Sequence, residues 1–111
     1  MAKELVVKET VGEAAITTAA SKIANVRTRG EYLRDVTQYL THCRTIGAAL
    51  AEGLETWKAE LKTNGLSVAS INRKLSAVKT VLRRAADSEG PEVRRGVEAA
   101  VGAVKGLRHA R

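Results

Sequence analysis

Residues 65–84 constrain this chain more than any other stretch. Apolar side chains recur at Ile71, Leu75, Val78, Leu82 and Ala85, the spacing of a helix with one buried stripe. At about 100° per residue, Asn72, Arg73, Ser76, Lys79, Thr80, Arg83 and Arg84 collect on the opposite arc. Four of these seven are cationic, and no acid occurs between Ser67 and Ala86. A helix that merely faces water usually mixes both signs and gains i,i+4 pairs. An acid-free arc implies a polyanionic partner instead. The helix start is equally well marked. Gly65 suits the left-handed end of a preceding helix, Ser67 can accept a hydrogen bond from a free backbone N–H, and Leu66 with Ile71 can form a hydrophobic staple.

The remaining segments supply partners for that stripe. The spacing predicts a helix from Thr28 to about Arg44, with Thr28 and Glu31 as a capping box. Leu33, Val36, Leu40 and Cys43 are its inner stripe, flanked by Tyr32 and Tyr39. A second helix is expected over about Ala48 to Asn64, with Leu50, Leu54, Trp57 and Leu61 facing the core. Asp87-Ser88-Glu89-Gly90-Pro91 reads as a turn, with Pro91 opening a last helix. That helix carries Val93, Val97, Val101, Val104 and Leu107 on one face, and Lys105, Arg108 and Arg111 near its end suit the helix dipole. Residues 1–26 form an N-terminal arm, either mobile or a short helix opened by a Thr10–Glu13 capping box. Residues 27–111 form the folded domain. Leu5-Val6-Val7 is too short and unpartnered to be a strand. The fold class is therefore all-α, a four-helix or five-helix bundle.

Charge placement sharpens the functional reading. The net charge is +7, and residues 67–111 alone hold ten basic and four acidic groups. That asymmetry favours a nucleic-acid surface. No apolar run is long enough to span a membrane. The N-terminus lacks a basic-then-apolar signal pattern, so a cytoplasmic location is expected. Cys43 is the only cysteine and has no disulfide partner within the chain. His42 and His109 have no second ligand at metal spacing, and no Gly-rich phosphate loop joins a strand to a helix. No cofactor and no metal are expected.

Gly65-Leu66-Ser67-x-x-Ser70-Ile71-Asn72-Arg73-Lys74-Leu75-Ser76-Ala77-Val78-Lys79 resembles the signature of the N-terminal, SAM-like core-binding domain of tyrosine recombinases, the phage integrase family. Thr28-x-x-x-Tyr32-x-x-Asp35-Val36 is similar to the first helix of that domain. Ser70 stands where Thr is commoner, and Lys79 where Arg is commoner; Lys lacks the bidentate fork of Arg. The resemblance implies a domain that clamps double-stranded DNA at a recombination core site together with a catalytic domain. Full-length protomers of that family assemble in a synaptic complex, whereas the isolated domain is expected to be a monomer. The catalytic tyrosine and its arginine and histidine partners would belong to the other domain, leaving Tyr32 and Tyr39 as packing residues and this chain without enzymatic activity.

The expected DNA-binding residues are Asn72, Arg73, Ser76, Lys79, Thr80, Arg83 and Arg84, with Arg29 as a secondary phosphate contact. Lys79, Arg83, Arg84 and Arg73 are candidates for phosphates, and Arg73 is also the best candidate for a base edge. Arg94 and Arg95 either extend the patch or are solvated. Two other readings compete. One is a helical interaction module whose basic face meets an acidic protein; the other is a small nucleoid-type or regulatory DNA-binding protein acting as a homodimer.

Overall fold

A computed structural model describes residues 12–108. Within them the chain forms five helices: α1 (Glu13–Ser21), α2 (Val26–Ile46), α3 (Leu50–Thr63), α4 (Val68–Asp87) and α5 (Pro91–Ala103). Thr10, His109 and Arg111 lie outside the described residues, as does the Leu5-Val6-Val7 triplet. The all-helical architecture expected from the periodicity is present.

Helix α4 packs against each of the other four. Its stripe residues Ile71, Leu75, Val78, Leu82 and Ala85 are all buried, and Ala77, Val81 and Ala86 widen the buried side. Ser67 caps it as the sequence indicates, its hydroxyl accepting from the Ser70 amide at 3.2 Å. Gly65 has φ +86°, a conformation that disfavours any side chain and that turns α3 sharply into α4.

Three local expectations are corrected. First, α2 is capped by Asn25, whose side chain accepts from the Thr28 amide at 3.0 Å; Thr28 is therefore inside the helix and forms no box with Glu31. Second, α2 is rotated. It buries Asp35, Val36, Tyr39 and His42, while Leu33, Leu40 and Cys43 are only half-buried. Asp35 and His42 can be buried because side chains on other helices partner them, although Asp35 Oδ2 is left without a hydrogen bond. Lys74 Nζ donates to Asp35 Oδ1 at 2.8 Å. His42 Nδ1 donates to Glu60 at 3.1 Å, and its Nε2 shares a 2.8 Å hydrogen bond with Thr56. Third, the last helix ends at Ala103, and residues 104–108 leave it without forming further helix.

The stretch expected as an arm or short helix contributes α1 from Glu13 onward. Ile16 and Ala20, with Ile23 in the following turn, belong to the common core, and Arg44 of α2 pairs with Glu13 at 2.6 Å.

Tyr39 and Trp57 meet edge to face, with ring centroids 5.7 Å apart and planes at 63°; such pairs add about 0.5–1.5 kcal/mol to simple area burial. Tyr32 is half-buried against the same core. Burial pushes the Tyr39 phenol well above its ordinary 10.0, and the Cys43 thiol beside it adds to the shift, although the Leu50 backbone opposes it. Because the folded value is raised, this contribution to stability is intact below pH 10.0 and is lost as pH climbs above it. The loss approaches about 1.4 kcal/mol per pH unit. In an alkaline titration the tyrosinate absorbance of Tyr39 is expected to rise only together with loss of helical circular dichroism. Ionisation of both tyrosines while the helices persist would show that water reaches the Tyr39 hydroxyl.

Candidate nucleic-acid interface

Helix α4 is so deeply embedded that its solvent face is narrower than its sequence suggests. Arg73, Ser76, Arg83 and Arg84 are exposed and Thr80 is half-buried. These five residues form the outward strip. Asn72 and Lys79 are half-buried on its flank, turned toward residues 104–107. The Asn72 side chain donates from Nδ2 to the Leu107 carbonyl and accepts from the Leu107 amide, both at 2.8 Å. Lys79 Nζ donates to the Val104 carbonyl. Burial holds the Lys79 ammonium below the ordinary lysine range, and Arg83, Lys105 and Lys58 nearby add to the effect.

The exposed cations of α4 differ in how they are engaged. Arg83 Nε reaches Glu98 of α5 at 3.0 Å. Arg73 Nη1 stands 3.9 Å from both Glu31 and Asp35. Arg84 pairs with no acid among the described residues. The Thr80 hydroxyl donates to the Ser76 carbonyl at 2.9 Å, leaving its lone pairs outward. Arg29 lies on α2, half-buried, where Nη1 donates to the Ile23 carbonyl at 3.2 Å and ties α2 to the preceding turn.

A second surface went unnoticed in the sequence. The outer face of α2 carries Arg27, Gly30, Arg34, Thr37, Gln38, Thr41 and Thr45, all exposed. None of these is acidic. The two acids of α2, Glu31 and Asp35, turn toward Arg73 and Lys74 of α4 instead. Gln38 also accepts from Lys74 at 3.0 Å. Arg34 sits between Glu31 and Gln38 on the helix, so it borders the α4 strip. The sequence carries no local signal for this face, because it depends on Asp35 pointing inward to Lys74 of another helix; once it does, the opposite side of α2 has no acid left.

Within the described residues no group of three His, Cys, Asp or Glu side chains could hold a metal ion. No helix there is long and apolar enough to cross a membrane.

These features define an α-helical domain built around one embedded helix, with two acid-free helix faces on either side of Glu31. A family model described as the phage integrase N-terminal SAM-like domain matches residues 18–89. The chain belongs to that family and is a tyrosine recombinase-related domain. The match is to the N-terminal domain and does not include the catalytic one. No curated protein and no solved structure matches the chain.

Proposed function

We propose that this chain is a DNA-binding core-binding domain of a tyrosine recombinase, and that it grips duplex DNA with the outer faces of α4 and α2. The observation that carries this reading is the engagement of both α2 acids by α4, Asp35 buried against Lys74 and the half-exposed Glu31 beside Arg73, which leaves the outer faces of the two helices cationic and hydroxyl-bearing with no acid on either face. Arg73, Arg84, Arg83, Arg34 and Arg27 suit phosphates, which set register and affinity. Ser76, Thr80, Thr41 and the small Gly30 let the helices approach a groove, and Arg73 and Gln38 have the donor pattern for base edges. The domain recognises the recombination core site without doing chemistry itself. Bond breakage falls to a catalytic domain, and protomers carrying both domains assemble on DNA during integration or another recombination reaction. The domain alone acts as a monomer at a nucleoid location.

Fluorescence anisotropy with a labelled duplex over a salt series tests this. The expected result is a log K against log salt slope of roughly −3 or steeper, about −0.9 for each phosphate held. A flat response, or tight association with an acidic protein and none with duplex, would overturn it.

A further inference from the structure

Residues 104–107 are held as a peptide is held by a receptor. Val104 is 2% exposed although it lies past the end of α5, and Leu107 is half-buried against the core. Three of the four carbonyls are captured by side chains from elsewhere. Lys79 donates to that of Val104, Lys58 of α3 to that of Lys105 at 2.9 Å, and Asn72 to that of Leu107. Asn72 also accepts from the Leu107 amide, so its carboxamide pairs with that residue as a neighbouring β-strand would. At the fourth position, Gly106, a Cβ would lie 2.8 Å from Asn72 Oδ1. A side chain there would push the Asn72 carboxamide, whose Cγ would be 3.2 Å away, out of its place. None of this is needed to complete α5, and all of it uses polar groups of α3 and α4.

We propose that Lys58, Asn72 and Lys79 form a cradle for the extended backbone of residues 104–107, and that docking of this segment withholds Lys79 and Asn72 from nucleic acid. The cradle stands independently; only its effect on DNA rests on the function proposed above. The ammonium of Lys79 is directed at the Val104 carbonyl rather than at solvent, in a neighbourhood that holds Arg83, Lys105 and Lys58 against the one acid Glu55, which pairs with Lys58 at 2.5 Å. The excess of positive charge there attracts a phosphate, and Lys79 is free to meet one once the Val104 carbonyl has gone. Asn72 is thus a positioning residue for the strap, and its loss should strengthen DNA binding where a direct contact would weaken it.

Two variants separate these possibilities. Asn72→Ala removes the carboxamide, and Gly106→Ala keeps it but displaces it from the Leu107 backbone. Lys105 is exposed, so trypsin reports release of the segment through cleavage after Lys105. Both variants are expected to be cut about tenfold faster than the parent, the scale set by losing hydrogen bonds that hold a locally opening segment. Equal cleavage of all three proteins would overturn the cradle. In the salt series both variants should bind duplex DNA more tightly, with the slope steeper by about 0.9 for the one phosphate that Lys79 gains. Adding Lys79→Gln should cancel that gain. Weaker binding by Asn72→Ala alone, with Gly106→Ala unchanged, would make Asn72 a direct DNA contact and overturn the withholding. Absence of DNA binding in every variant would overturn the withholding together with the DNA reading, while trypsin still decides the cradle.

Discussion

Replacing Asp35 by Ala is expected to cost the domain about 3–5 kcal/mol of unfolding free energy, because it strands a buried ammonium. The Asp35 side chain is 3% exposed and that of Lys74 12%, so the carboxylate stays out of water while α2 and α4 remain packed and the ammonium is largely shielded with it. Lys74 would keep only its hydrogen bond to Gln38. The pair itself contributes far less than that loss suggests. Two ions taken from water pay a desolvation cost that their attraction only roughly offsets, and Asp35 Oδ2 still lacks a hydrogen-bond partner. Replacing both residues together, Asp35→Leu with Lys74→Met, should therefore come within about 1–2 kcal/mol of the parent or exceed it. Urea titration followed by the fluorescence of Trp57, the one tryptophan, measures all three proteins. A single Asp35→Ala variant that loses less than about 1 kcal/mol would mean that solvent screens the pair and that the two helices are not locked by it.

That pair also explains where the sequence could be read and where it could not. Helix α4 was legible because its information is local: five apolar residues at helical spacing, a serine cap and a glycine turn, all within residues 65–85. Helix α2 was legible as a helix but not in its rotation. An apolar-only reading placed Leu33, Leu40 and Cys43 inward and had no means of burying Asp35 or His42, since their partners Lys74, Glu60 and Thr56 lie on other helices. Its start was missed for a related reason. Asn25 and Thr28 are both able caps; burial of Ile23, and the bond from Arg29 to its carbonyl, fix the chain so that Asn25 takes the role.

The end of α5 shows the opposite error. Val97, Val101 and Val104 keep helical spacing, so periodicity predicts continuation. The backbone instead departs at Val104 because Asn72, Lys79 and Lys58 offer its carbonyls better partners than another turn of helix. The same contacts moved Asn72 and Lys79 from the centre of the expected basic face to its edge. Arg27 and Arg34 were overlooked because α2 carries acids in sequence; that they point inward is a tertiary fact.

Neutralising the two faces separately is the strongest test of what they do together. If Arg73, Arg83 and Arg84 on α4 and Arg27 and Arg34 on α2 each hold one phosphate, five contacts give a slope of roughly −4.5. Affinity for a duplex would then fall on the order of several hundredfold between about 50 and 200 mM salt. Changing the three α4 arginines to Gln should flatten the slope to roughly −2, and changing the two α2 arginines to roughly −3. Gln is preferred to Glu because Arg73 stands 3.9 Å from Glu31 and Asp35, where a new acid would add repulsion unrelated to DNA. All five arginines are exposed, so each substitution should shift stability by no more than about 0.5 kcal/mol, and a thermal melt of each variant checks that the losses are not unfolding. Loss confined to the α4 variant would return the outer face of α2 to solvent and leave α4 as the whole interface. Comparable losses from both would mean that the duplex spans the seam between the helices, where Asp35 is buried and the half-exposed Glu31 is held beside Arg73.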